Sequence, residues 1–175
     1  MEYKEELTKA MTMLAQDERT VFIGQSVRYS GHAMFNTLKD VPMEKRIELP
    51  VFEDTQMGMS IGMAMVGMIP ISIYPRMDFL LCAMNQLVNH LAVMKEMSNG
   101  QFNPRVIIRT ALGSNIPFKA GAQHGKDIME PLRMLCHNGV AIVRLRQPEL
   151  IVQEYKYALK YGGSAILIEE GDLYG

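Results

Sequence analysis

The chain has 175 residues, 19 acidic and 18 basic side chains, and a formal net charge of −1. That length fits one domain with a proper core, and the balanced charge, with Lys and Arg scattered, gives no electrostatic reason to expect nucleic acid or an anionic membrane as partner. The most hydrophobic stretch, Met57 to Ile73, is broken by Gly58, Gly62, Gly67 and Pro70 and falls short of the roughly 20 apolar residues that span a bilayer.

The N-terminus, Met1-Glu2-Tyr3-Lys4-Glu5-Glu6, is charged and lacks the apolar run of a signal peptide. Cys82 and Cys136 fall in helix-like apolar stretches without metal-ligand spacing, which reads as two buried thiols in a reducing compartment. The expectation is a cytoplasmic, soluble protein. Sixteen methionines and no tryptophan are unusual. Methionine fills irregular gaps and adapts to partner surfaces, and Met57, Met59, Met63, Met65 and Met68 leave their helix few polar positions. A helix apolar nearly all round is buried on all sides, so a subunit interface is expected over it.

Periodicity alternates between helix and strand from end to end, with no repeat or linker. Glu5 to Ala15 has helical spacing, with Leu7, Met11 and Leu14 on one face. Thr20 to Gly24 is a β-branched, apolar run stopped by glycine, hence a buried strand. A polar stretch with a short helix follows to about Asp40. Arg46 to Val51 is the second strand, and Asp54 or Thr55 is placed to cap a helix running to Met68. In that helix Gly58 and Gly62, four apart, let another backbone approach one face. Ile69 to Tyr74 is the third strand, closed by Pro75. Asp78 then caps a long helix from Phe79 to about Met97, stopped by Ser98-Asn99-Gly100. Arg105 to Thr110 is the fourth strand, and the loop from Ala111 to Gln123 is long enough to be functional. Lys126 to His137 reads as helix, with Pro131 tolerated near its first turn. Gly139 to Leu145, Gln147 to Tyr161 and Ser164 to Glu169 follow as strand, helix and strand. The fold class is therefore α/β in three layers, a mainly parallel sheet of about six strands with helices on both faces, in one domain over residues 1–175.

Fold alone selects no function, but three places in this pattern carry chemistry. Glu53, the Met77-Asp78-Phe79 turn and the Gln123-His124 pair each follow a short β-like run and precede a helix-like one. Ligands of open parallel sheets sit in the crevice beyond the carboxyl ends of the strands. A carboxylate, an aromatic and an imidazole are thus delivered to one edge. The plainer reading of Glu53 is a surface carboxylate favourable to the helix dipole, and that of Phe79, beside Leu80 and Leu81, is core. Held in an apolar pocket, Glu53 could instead share a proton with a ligand. His124, among the glycines of Gly121-Ala122-Gln123-His124-Gly125, has surroundings unlike those of a core histidine. His90 and His137 lie in or at the ends of helices, and His32 lies in a Ser30-Gly31-His32 loop with no identifiable partner.

A longer ordered set surrounds these residues. Tyr3-Lys4-Glu5-Glu6-Leu7 and Asp17-Glu18-Arg19 come first, then Pro50-Val51-Phe52-Glu53 and the run from Gly62 to Ile71. Asp78-Phe79, Asn85-Gln86-Leu87-Val88-Asn89, Gly121-Ala122-Gln123-His124 and the closing Glu169-Glu170-Gly171-Asp172-Leu173-Tyr174-Gly175 complete it. This set resembles the pyrimidine-binding domain of thiamine-diphosphate enzymes in the transketolase-like family, most closely the beta subunit of the first component of 2-oxoacid (pyruvate) dehydrogenase complexes.

The resemblance implies that Glu53 is catalytic and cofactor-binding: it hydrogen-bonds a ring nitrogen of the aminopyrimidine and so prepares the cofactor to lose its thiazolium proton. Phe79 is implied to stack on the pyrimidine, and His124 to orient substrate or handle protons near the thiazolium. No metal ligand is implied in this chain. In the family this resembles, a Gly-Asp-Gly motif followed by asparagine holds Mg²⁺ and the cofactor's phosphates, and this sequence lacks it. A separate diphosphate-binding subunit is therefore expected to hold them, in a heterotetramer with two copies of each chain and thiamine diphosphate shared between them. Two departures bear on the reaction. Gln25-Ser26 stands where the dehydrogenase subunits carry one or two acids, and the sequence stops where the family's C-terminal domain begins. A transketolase-type subunit moving two-carbon ketol units, and a non-catalytic partner that retains the fold, remain open beside the 2-oxoacid reading.

Overall fold

Six strands, β1 (Thr20–Gly24), β2 (Arg46–Glu48), β3 (Ile69–Tyr74), β4 (Ile107–Ala111), β5 (Val140–Leu145) and β6 (Ser164–Glu169), form one sheet in the order β2-β1-β3-β4-β6-β5. Every pairing is parallel. The computed structural model describes residues 2–115, 119–137 and 139–174; Ile116, Pro117 and Phe118 of the expected long loop lie outside the described residues.

Successive side chains of a strand point to opposite faces, and here both faces are apolar. Ile71, Ile73, Ile107 and Leu167 pack with Leu7, Met11 and Leu14 of helix α1 (Tyr3–Ala15) and with Tyr155 of the helix Ile151–Tyr161. Ile108, Ile166 and Ile168 face the other way, onto Met57, Leu80, Leu87 and Leu132. Two covered faces give the expected three layers. The chain leaves β1 toward β2 on one side and returns to β3 on the other. That reversal opens a crevice at the carboxyl ends of β1 and β3, where Gly24 pairs with Ile73. A Cβ at Gly24 would come within 2.6 Å of the Ile73 carbonyl, so this close approach requires glycine.

Several elements differ from their sequence expectation. β2 ends at Glu48 rather than Val51, because Pro50 has no N–H for a ladder and β2 is an edge strand. Helix α2 spans Glu53–Met65, so Glu53 is its first residue and neither Asp54 nor Thr55 caps it. The expected long helix after Asp78 is instead a 3₁₀ segment (Met77–Ala83), a short α3 (Met84–Gln86), a π-turn (Leu87–Leu91) and α4 (Met94–Met97). The buried apolar residues explain this winding. Met77, Leu80 and Ala83 are three apart, which suits a 3₁₀ turn, whereas Leu87 and Leu91 are four apart. The tight turn also leaves Cys82 exposed, a correction to the expected pair of buried thiols. Cys136, in α5 (Met129–Cys136), is buried, and burial pushes its thiol up to about 11. Helix α6 (Ile151–Tyr161) precedes β6.

α2 is covered on one side only. Met57 is buried, but Met59, Met65 and Val66 are exposed, Val66 at 79%. Gly58 faces the Gln86 side chain and Gly62 meets nothing within 4 Å. No helix among the described residues is long and apolar enough to cross a membrane.

Candidate active site

At the carboxyl edge of the sheet lies a cavity of about 460 Å³, within the range of small-molecule sites. The turns after four strands build it: Gln25, Ser26 and His32 after β1, Glu53 after β2, Arg76 and Phe79 after β3, and Gly113 after β4. Tyr174, from the segment after β6, joins them.

Glu53 is held from below by a polar seam between α2 and β3. Gln56 donates to the Ile73 carbonyl at 3.0 Å and to Ser72 Oγ at 3.1 Å, and Ser60 donates to Ser72 Oγ at 3.0 Å. The Tyr74 hydroxyl donates to the Glu53 carbonyl at 3.3 Å. These bonds fix the first turn of α2 against the end of β3. No described residue donates a hydrogen bond to the Glu53 carboxylate, which is half-buried and open to the cavity.

Phe79 lines the same cavity, half-buried. His124 stands edge-on to it, with ring centroids 5.8 Å apart and planes at 79°. The imidazole is therefore one ring away from the cavity lining. Its Nδ1 is buried with no hydrogen-bond partner among the described residues. Two devices bring it there. Gly113 lies against the His124 carbonyl so closely that a Cβ would overlap it. Lys126 also reaches the Asp78 carboxylate at 3.5 Å, tying the His124 segment to the Phe79 turn. Asp78 was expected to cap a helix. It is buried instead and caps nothing, with Lys126 as its only ion-pair partner among the described residues.

The turn carrying Gln25 and Ser26 is shaped by Glu48. Its carboxylate accepts the N–H groups of Ser26, Val27 and Arg28 at 2.5, 2.9 and 2.8 Å. Three converging amides form an anion-binding nest, here filled from within, and they hold Ser26 at a left-handed φ of 53°. Glu48→Ala is expected to release this wall. The domain should lose about 2 kcal/mol of stability in denaturant unfolding, and the three amides should exchange with deuterium about tenfold faster.

Sequence reasoning missed a buried cluster beside the cavity. Arg109 of β4 and Glu169 of β6 are both 0% exposed and form a bidentate pair at 2.6 and 3.1 Å. Thr37 and Tyr174 accept further bonds from Arg109 at 2.8 and 3.3 Å. The hydroxyls of Tyr155 (2.6 Å) and Tyr174 donate to the Glu169 carboxylate. Burial opposes the charge on Arg109, but the facing carboxylate outweighs it and its pKa is raised. Burial, and then repulsion by Glu169, push both tyrosine hydroxyls well above the usual phenol value, so they stay protonated donors. Tyr174 thus links the cluster to the cavity wall. An arginine and a glutamate 60 residues apart, both within strand-like runs, gave no signal that they would meet.

No family model matches the chain. Among curated proteins it is 32% identical over 119 residues to the pyruvate dehydrogenase E1 component subunit beta of Cyanidium caldarium, covering 66% of this chain and 36% of the relative. It is 29% identical over 164 residues to the same subunit of Gracilaria tenuistipitata var. liui, covering 91% and 49%. The chain thus spans half or less of the length of these relatives. Among solved structures, a split-gene transketolase described as an inactive β4 tetramer superposes with a TM-score of 0.72 at 17% identity, over 97% of this chain and 51% of that one. That likeness supports the fold, and the sequence relatives bear out the resemblance.

Proposed function

We propose that this chain, a pyrimidine-binding domain of the thiamine-diphosphate enzymes, is one half of an enzyme acting on a carbonyl substrate, of the 2-oxoacid decarboxylation or dehydrogenation type. The observation that carries this reading is the convergence of Glu53 and Phe79 on one cavity with His124 edge-on to Phe79. A carboxylate open to the cavity beside an aromatic side chain fits a flat nitrogen heterocycle such as an aminopyrimidine. When bound, thiamine diphosphate supplies a nucleophilic carbon and an electron sink next to the substrate carbonyl.

This chain's residues have separable roles. Glu53 holds a proton at a ring nitrogen, and the Gln56–Ser72–Ser60 seam keeps it in place. Phe79 stacks on the ring. His124, edge-on to Phe79, hydrogen-bonds the substrate or moves a proton at its oxygen. We assign the diphosphate and Mg²⁺ to a separate subunit, in an assembly with two copies of each chain. The relatives' designation as a beta subunit supports a separate partner chain. The exposed methionine side of α2, with Gly62 open, is the surface assigned to subunit contact.

Calorimetric titration of thiamine diphosphate into this chain, the partner and their mixture tests the reading. Heat is expected with the pair. No heat under any pairing would reject it in favour of a non-catalytic protein that retains the fold. In the same complex His124→Ala should keep cofactor affinity and lower turnover about 100-fold. Loss of affinity instead would make His124 a binding residue.

A further inference from the structure

Glu53 is the carboxylate lining the sheet-edge cavity, and Arg76 is its lysine-or-arginine member. Arg76 belongs to none of the motifs that carry the resemblance. Pro75 follows the end of β3, and the Arg76 carbonyl then accepts the Phe79 N–H at 3.0 Å. That bond fixes residue 76 beside the aromatic. The Arg76 side chain is half-buried, and its guanidinium has no hydrogen bond or ion pair among the described residues. Most other arginines are occupied: Arg109, Arg133, Arg144 and Arg146 pair with carboxylates, and Arg46 and Arg105 donate to carbonyls.

A guanidinium in a protein stays charged, so a ligand that covers Arg76 without bringing an anion leaves an uncompensated charge. Glu53 does not compensate it. The two form no ion pair among the described residues, and a Glu53 carboxylate turned to a ring nitrogen is not available as counter-ion. Arg109 is a second cation near the cavity, but it is 0% exposed and paired with Glu169. Its unpartnered Nη1, like His32 Nδ1, presents no surface that a ligand could touch. An anion in this cavity is therefore drawn to Arg76 and repelled by Glu53. The planar fork of a guanidinium matches a carboxylate through two parallel hydrogen bonds.

On the reading that this cavity receives a 2-oxoacid beside the cofactor, we propose that Arg76 binds the substrate carboxylate and so selects the 2-oxoacid over the corresponding aldehyde. Arg76 is then a specificity-determining residue, separate from the proton-handling roles of Glu53 and His124. As the carbon–carbon bond breaks, its electron pair stays on the former carbonyl carbon and the carboxylate leaves as neutral carbon dioxide. The ion pair is thus no stronger in the transition state than in the bound substrate, and it acts on capture rather than on the chemical step.

The test uses the thiamine-diphosphate-loaded complex of this chain with its partner and the 2-oxoacid it turns over fastest from a set that includes pyruvate. Arg76→Gln is expected to raise KM about 50-fold and to leave kcat within about twofold of the wild type. Arg76→Lys, which keeps the charge, should recover most of that loss. The aldehyde with the same carbonyl and no carboxylate should inhibit the wild type and both variants with the same constant. Cofactor affinity, read by calorimetry, should be the same in all three. An arginine that only supports the Phe79 turn would instead lower kcat, or weaken aldehyde and 2-oxoacid alike. An arginine on the cofactor's diphosphate would weaken cofactor binding. Either result, or an unchanged KM in Arg76→Gln, overturns the proposal while wild-type turnover still supports the parent reading. A wild-type complex that binds no thiamine diphosphate, or turns over no 2-oxoacid, overturns both.

Discussion

Glu53→Gln is expected to leave the fold and cofactor affinity nearly unchanged and to slow hydrogen–deuterium exchange at the thiazolium carbon of bound thiamine diphosphate about a thousandfold. The substitution keeps the shape of the side chain and its capacity to hydrogen-bond. It removes the ability to hold and return a proton. The seam that positions residue 53 runs through Gln56, Ser60, Ser72 and the Tyr74 hydroxyl, none of which touches the carboxylate. Stability should therefore stay within about 0.5 kcal/mol of the wild type, as for surface changes away from buried features. Exchange is read by quenched-flow proton NMR on the complex with the diphosphate-binding partner. Near-normal exchange would remove Glu53 from the role assigned to it.

Arg109→Met is expected to destabilise the domain by about 3–5 kcal/mol, because it leaves the Glu169 carboxylate buried without a counter-charge. Glu169 would keep only its two tyrosine donors. For a domain of this size that corresponds to a Tm lower by about 10 °C. The double variant Arg109→Met with Glu169→Leu should recover much of the loss, since two apolar residues remove the unpaired charge as well as the pair. Denaturant unfolding of the three variants gives the coupling between the positions. Additive losses would mean that the pair contributes no more than two independent packing contacts. Because Tyr174 both donates to Glu169 and lines the cavity, the single variant should also weaken ligand binding.

Much of the sheet was legible in the sequence. Thr20–Gly24, Ile69–Tyr74 and Ser164–Glu169 are strands with the limits that their β-branched runs and flanking glycines, prolines and acids imply. Such runs are buried on both faces in a parallel sheet, so their signal is continuous and hard to mistake. The segment after Asp78 was harder. Its composition reads as helix, but whether it winds as 3₁₀, α or π depends on which neighbours its apolar residues must meet. Met77, Leu80 and Ala83 meet theirs only at a spacing of three.

Glu53, Phe79 and His124 could be named from a one-dimensional pattern because each follows a strand end, and parallel strands send all their carboxyl ends to one edge. That part of the site is a consequence of topology, and topology follows from alternation. Glu48 and the Arg109–Glu169 cluster were invisible for the opposite reason. Each matters through partners distant in sequence: the turn amides for Glu48, and a strand 60 residues away for Arg109. The sequence by itself determined the layers, the parallel sheet and the edge where Glu53 and Phe79 meet, since these depend on local periodicity and chain order. Only the tertiary structure decided which polar groups are buried together, since desolvation and pairing exist only once distant segments pack.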